Sequence, residues 1–128
     1  MRDADVVIAT TGVQGLIRPE WVRKGQLILA LSNPDAEIEP IQALDHGAAF
    51  AADGKSINNV SAFPGLFKGA LEARATRFSD AMLMAAATTL SRLAGADALL
   101  PDPLDLEAHA QVAAAVRAAA STAGGSPR

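Results

Sequence analysis

The sequence predicts an α/β fold in which an open parallel sheet of about three strands is followed by C-terminal helices. Three short apolar runs lie in the first half of the chain, and two segments with proline at a helix-starting position separate them. The second half is dominated by alanine. An order of strand, helix, strand, helix, strand is typical of a parallel sheet with right-handed crossovers.

Each predicted strand is a short apolar run that ends at a turn signal. Residues 5–10 form a continuous β-branched run closed by Thr11 and Gly12, which is typical of a strand covered on both faces. Residues 26–31 repeat the pattern and stop before an Asn-Pro pair, where proline ends regular pairing. A weaker third run, residues 48–52, is followed by an Asp-Gly pair that favours a turn.

The predicted helices of the first half begin at proline, within residues 19–23 and 40–46. In the second half, residues 63–74 form a helix that two glycines weaken, and residues 107–121 form the last helix.

Between them, Ser79 is a predicted N-cap for a helix that extends to Ala94. We expect Leu83, Ala87, Leu90 and Ala94 to form its inward face. The chain is thus predicted to be one domain, residues 1–121, with a flexible tail at residues 122–128.

Composition excludes several classes of function. The 128 residues carry a net charge of −3 and no basic cluster, which argues against binding to nucleic acid. No apolar run reaches the roughly 18–20 residues of a membrane-spanning helix, so no membrane partner is expected. The absence of cysteine and of a signal peptide fits a cytoplasmic location.

The predicted sheet is an incomplete Rossmann-like fold. The Gly-x-Gly-x-x-Gly turn that follows the first strand of a dinucleotide-binding domain occurs nowhere in the chain. The chain also begins at the edge of its first predicted strand, with no preceding helix. It therefore looks like part of a larger domain, whose apolar edge would recruit the missing N-terminal half or a second copy.

Asparagine side chains follow two of the predicted strands. Asn33 lies at the carboxyl end of the second strand, where open parallel sheets bind ligands, although an Asn before Pro also commonly shapes a turn. Asn58 and Asn59 follow the third strand, where they could equally cap a helix and satisfy loop backbone.

The remaining candidates give weaker signals. Lys55 and Lys68 could contact phosphate or carboxylate, but solvated lysines are commoner. Neither His46 nor His109 has a second histidine at metal-binding spacing, so no metal ligand is predicted within the chain.

Three segments have an order and spacing that match one known family from about residue 3 to residue 120: Ala30–Pro34, Ala51–Leu71 and Leu99–Pro103. Together they resemble the C-terminal cofactor-binding domain of bacterial-type malic enzymes. The specific part runs from Asn58 to Gly65.

This resemblance implies an enzyme that oxidises malate with NAD or NADP and uses Mg or Mn to decarboxylate the product to pyruvate. Thr11, Gly12, Asn33 and Asn58 would contact the cofactor, with Asn33 on the nicotinamide side, and Asn59 would hold the substrate. A carboxamide can donate and accept hydrogen bonds without changing its protonation.

The family's catalytic tyrosine cannot be present, because the chain has no Tyr. The family's catalytic lysine and acidic metal ligands belong to preceding segments. We therefore predict no catalytic residue in this chain and no malate turnover by the chain alone. Two alternatives are a fragment of a malolactic enzyme, which shares the scaffold, and a non-catalytic assembly module.

Overall fold

The computed structural model describes residues 1, 3–57, 59–95 and 98–123, excluding the side chains of Asn59, Thr122 and Ala123. The chain divides into two compact units, Met1–Asn58 and Asn59–Arg128. The predicted tail lies largely at residues 124–128, outside the described residues.

The first unit contains the predicted three-stranded parallel sheet. Its strands are β1 (Val6–Ala9), β2 (Leu27–Ala30) and β3 (Phe50–Asp53), in the spatial order β1-β2-β3. Val6 pairs with Leu27, and Leu27 pairs with Phe50. All three strands run in the same direction, so their carboxyl ends lie at one edge of the sheet.

One of the two helices predicted in the first unit is only a short turn. The segment at residues 19–23 forms only a 3-10 turn, Pro19–Trp21, rather than an α-helix, whereas α1 spans Pro40–Asp45 as expected. The third strand begins at Phe50, two residues after the first residue of the predicted run, because Ala48 and Ala49 first complete the connection from α1. The N–H of Ala48 donates to Ala43 O and that of Ala49 to Gln26 O.

The core of the first unit lies on one face of the sheet. Ile28 and Ala30 are buried there against Ile38 and Ala43 from the chain that follows β2. On the opposite face, side chains of β1 are exposed, Ile8 by 64%. The prediction that the first strand is covered on both faces is therefore wrong for this chain. The core of this unit packs against Val7 and Ala9, whose side chains point to the face opposite Val6 and Ile8.

The second unit contains three helices: α2 (Phe63–Glu72), α3 (Asp80–Leu93) and α4 (Leu106–Ala123). A Cβ on Gly65 would lie 2.7 Å from Val112 Cβ, and one on Gly69 would lie 2.8 Å from Val116 Cβ. The two glycines that weaken α2 as an isolated helix thus allow α4 to approach its backbone closely.

Ser79 caps α3 as predicted, since its hydroxyl accepts a hydrogen bond from the N–H of Met82. The predicted inward face of α3 is wrong, apart from Leu90. The buried residues are Met82, Ala86, Thr89 and Leu90, while Leu83 is 46% exposed. The inward face lies about one residue, or roughly 100°, from the predicted one. Alanine and leucine occur on several sides of this helix, so packing rather than periodicity selects the face.

None of the helices in the described part of the chain is long and apolar enough to cross a membrane.

Candidate functional site

The candidate site is the edge of the sheet where β1, β2 and β3 end. Ligands of open parallel sheets bind outside the carboxyl ends of the strands, since the loops that follow neighbouring strands meet there. Two loops follow β1 and β2 here, residues 10–13 and 31–34, and a turn at residues 54–57 follows β3.

Glu37 joins the first two loops although its side chain is fully buried. Its Oε1 accepts hydrogen bonds from the Thr11 backbone N–H at 2.6 Å, the Thr11 hydroxyl at 2.9 Å and the Ser32 hydroxyl at 2.6 Å. Its Oε2 accepts the backbone N–H of Ser32 at 3.4 Å. One carboxylate therefore binds both the loop after β1 and the loop after β2.

The two hydroxyls extend this network to the next residues of the first loop. The Ser32 hydroxyl accepts the N–H of Gly12 at 2.8 Å, and the Thr11 hydroxyl accepts the N–H of Val13 at 3.2 Å. The backbone N–H groups of three consecutive residues, Thr11 to Val13, are thus all bound to side chains of the protein.

Glu37 is ionised at neutral pH. Burial raises the pKa of its carboxyl group, but hydrogen bonds from Ser32 and Thr11 outweigh that effect and lower the pKa from its ordinary value of 4.5 to about 2. A negative charge therefore lies beneath the two loops.

Asn33 connects the end of β2 to the turn after β3. Its Nδ2 donates to Gly54 O at 2.8 Å, and its Oδ1 makes no hydrogen bond to any described residue. A Cβ on Gly54 would lie 2.9 Å from Asn33 Nδ2 and would collide with the carbonyl oxygen of Leu31, so only glycine fits there. The peptide bond between Asn33 and Pro34 is cis.

Asp53 closes the turn after β3. Its Oδ1 accepts hydrogen bonds from the N–H and hydroxyl of Ser56, at 2.8 and 2.7 Å, and from the N–H of Lys55 at 3.2 Å. The Ser56 hydroxyl is the main cause that lowers the pKa of Asp53. This aspartate therefore orders its own turn.

The structure describes three of the five predicted site residues in full. Thr11, Gly12 and Asn33 lie at the same edge of the sheet, as expected from parallel strands. Asn58 lies outside the described residues, and of Asn59 only the backbone is described, at the start of a 3-10 turn, Asn59–Ser61.

Glu37 was not predicted from the sequence. The available signal was a glutamate between two apolar residues, Ala36 and Ile38, in the segment just after a strand. All three residues of that segment are buried.

The described residues contain no group of three His, Cys, Asp or Glu side chains that could hold a metal ion. The hydroxyls, amide groups and carboxylate at the edge of the sheet can bind and orient a ligand. The carboxylate that lies deepest already accepts four hydrogen bonds, so it is not arranged as a base for a reacting group.

Comparisons with known proteins agree on one family. Residues 40–121 match the family described as malic enzyme, NAD binding domain. The chain is 56% identical over 123 residues to NAD-dependent malic enzyme 1 of Bacillus subtilis (strain 168), covering 96% of this chain and 28% of the relative. It is 38% identical over 135 residues to the bifunctional malic/malolactic enzyme of the same organism, covering 95% of this chain and 33% of the relative.

A solved structure shows the same likeness. The malic enzyme from Pyrococcus horikoshii Ot3 superposes with a TM-score of 0.85 and 36% sequence identity, covering 96% of this chain and 31% of that one. The chain spans about a third or less of the length of these proteins. The parallel sheet, the loops at its carboxyl edge and these matches agree: the chain belongs to the family of malic enzyme NAD-binding domains.

Proposed function

We propose that this chain supplies part of the NAD(P)-binding site of an enzyme that oxidises malate and decarboxylates it to pyruvate. The observation that carries the proposal is the pair of loops after β1 and β2, which Glu37 binds together at the edge where such sheets take their ligands. Bound NAD(P)⁺ would accept the hydride from malate.

Asn33 would orient the nicotinamide end of the cofactor. Its Nδ2 is already bound to Gly54 O, which leaves Oδ1 as the atom that can accept a hydrogen bond from the nicotinamide carboxamide. Thr11 and Gly12 would run alongside the cofactor, and Gly12 has open space where a Cβ would lie. Asn58 would assist in cofactor binding, and Asn59 would hold the carboxylate of the substrate.

Two features favour the nicotinamide end over the pyrophosphate at this edge. Loops that bind phosphate present free backbone N–H groups, whereas those of Thr11, Gly12 and Val13 already bind side chains of the protein. The ionised Glu37 beneath them would also repel a phosphate group.

The decarboxylation step would depend on residues outside this chain. The proposal places the Mg or Mn ligands, and the acid and base that move protons, elsewhere in the complete enzyme. The role left to this chain is binding and orientation, which determines how well the reacting carbons are aligned.

An apolar surface on the first unit would take the remainder of the enzyme or a second copy of the chain. Val6 and Ile8 are 48% and 64% exposed, and among the described strands β1 pairs only with β2. A strand edge with exposed apolar side chains recruits other chains.

We place the complete enzyme in the cytoplasm.

A malolactic reaction, which ends at lactate, is the alternative that one comparison favours. The relative that is 38% identical is named a bifunctional malic/malolactic enzyme. Analysis of the product formed by the complete enzyme would separate the two reactions.

The test is a binding assay and an activity assay on the purified 128-residue chain. Because the proposal places the pyrophosphate contacts outside this chain, we expect NADH to bind only weakly, detected by the change in its fluorescence. Asn33→Ala should weaken this binding by about tenfold because one oriented hydrogen bond is lost. Gln111→Ala removes an exposed carboxamide on α4 and should bind like the wild type. With malate, NAD(P)⁺ and Mg or Mn, we expect no NAD(P)H.

Two results would contradict the proposal. Wild-type chain that binds no NADH, or binds it equally well after Asn33→Ala, would remove the cofactor role. Formation of NAD(P)H from malate by the chain alone would contradict the proposal that the acid and base that move protons lie outside this chain.

A further inference from the structure

The loop after β1 is held by hydrogen bonds rather than by packing. Thr11, Gly12 and Val13 are all exposed, and a Cβ on Gly12 would meet nothing within 4 Å. Gly12 also has a φ of 71°. An exposed loop with few packed atoms is mobile unless specific contacts hold it.

Those contacts converge on Glu37. The N–H of Thr11 binds Glu37 directly, and the N–H of Gly12 reaches it through the Ser32 hydroxyl. The N–H of Val13 reaches it through the Thr11 hydroxyl. Each hydroxyl donates its single hydrogen to the carboxylate, so the lone pairs that accept the next N–H are fixed in direction.

The same carboxylate accepts hydrogen bonds from the backbone N–H and the hydroxyl of Ser32, the residue before Asn33. A shift of Glu37 would therefore move the loop after β1 and the start of the Asn33 segment together. The four hydrogen bonds described above come from donors of Thr11 and Ser32. None of these four comes from α1 or from the interior of a strand.

We infer that Glu37 is a positioning residue of the nucleotide site, which holds the loops of Thr11–Gly12 and Asn33 in register without touching the ligand itself. This inference rests on the proposed cofactor role of those loops. A carboxylate suits the task because it only accepts hydrogen bonds, and bonds to a charged acceptor are stronger than those between neutral groups.

The test compares NADH binding and loop order in four forms of the full chain. Glu37→Gln keeps the shape of the side chain but places an amide donor where Oε2 accepts the N–H of Ser32. Ser32→Ala removes the link between Gly12 and Glu37. Ile38→Val is the matched control, because it trims a buried neighbour of Glu37 that belongs to the apolar core.

We expect Glu37→Gln to weaken NADH binding by about tenfold, and Ser32→Ala to weaken it by a smaller factor, under conditions where every form is folded. Amide hydrogen exchange should accelerate at Thr11 and Gly12 in both variants while the strand amides stay protected. Ile38→Val should alter the unfolding midpoint but neither the NADH affinity nor exchange in the loop.

The outcomes separate this inference from the proposed function. Wild-type chain that binds no NADH would overturn the proposed function and, with it, the cofactor role of Glu37. Wild-type chain that binds, together with Glu37→Gln and Ser32→Ala forms that bind equally well, would overturn the positioning role alone. If Glu37→Gln does not fold, the affinity of Ser32→Ala decides, because that change deletes one hydroxyl oxygen at a partly exposed position.

Discussion

Glu37 makes the stability of the first unit depend on pH. Hydrogen bonds from Ser32 and Thr11 stabilise its charged form, so its pKa in the folded chain is about 2, against an ordinary value of 4.5. For a carboxyl group whose pKa is lowered on folding, the stabilisation is complete above the unfolded pKa and is lost as the pH falls through the folded pKa. The difference corresponds to about 3 kcal/mol.

We therefore predict that the free energy of unfolding falls by up to about 3 kcal/mol between about pH 5 and about pH 2 because of this residue. In Glu37→Gln, which cannot titrate, that part of the decrease should be absent. Urea unfolding monitored by Trp21 fluorescence, at a series of pH values, measures both forms. Parallel pH profiles for the two forms would show that Glu37 does not titrate in this range.

The two key residues of the site differ in how far the sequence predicts them. Asn33 can be found from its place after a strand, because the carboxyl ends of parallel strands share an edge. Glu37 is harder to find, since glutamate is almost never fully buried unless it is paired. Its partners are Thr11 and Ser32, and their proximity depends on the pairing of β1 with β2, which local sequence does not specify.

At the scale of elements, the contact between α2 and α4 depends on glycine. A Cβ on Gly69 would lie 2.5 Å from Ala113 O and 2.8 Å from Val116 Cβ, closer than packed atoms allow. Gly69→Ala should gain about 1 kcal/mol of helix propensity but lose more through overpacking. We predict a net destabilisation of about 1–2 kcal/mol, measured by urea unfolding.

Leu71→Ala is the control for this prediction, because Leu71 lies on the same helix and is 76% exposed. Its effect on stability should stay within about 0.5 kcal/mol. A Gly69→Ala form as stable as the wild type would mean that α2 and α4 can separate by a few tenths of an ångström without cost.

The elements themselves follow from local signals to different degrees. Strands β1 and β2 are predicted within one residue at each end, because continuous apolar runs and turn residues define them. The 3-10 turn at Pro19–Trp21 is not distinguished from an α-helix, since proline starts both. The inward face of α3 is misjudged because its apolar residues surround the helix.

At the scale of the whole molecule, the sheet has the strand order of one half of a dinucleotide-binding fold. Such folds join two mononucleotide-binding halves, and in each half the neighbouring strands are consecutive in sequence, with the first strand next to the other half. The order β1-β2-β3 fits such a half, in which β1 would border the other half. The sequence predicted this from a missing glycine-rich turn, but not the division of the chain into two compact units.

The exposed apolar side chains of β1 and β2 should drive association of the isolated chain. By register, Val6 lies beside Leu27 and Ile8 lies beside Leu29, so Val6, Ile8 and Leu27 form an apolar surface on one face of the sheet. We predict that the wild-type chain associates as its concentration rises and that Ile8→Lys shifts the chain toward monomer, because a charge on an edge strand opposes pairing and burial. Sedimentation velocity over a range of concentrations measures the shift.

Leu104→Lys tests whether any added charge has this effect, because Leu104 is 83% exposed in a turn of the second unit. That variant should associate like the wild type. If Leu104→Lys prevents association and Ile8→Lys does not, the contact between copies involves the second unit. A wild-type chain that stays monomeric at all concentrations would show that the exposed face of β1 is tolerated in water, since exposed apolar area alone does not guarantee association.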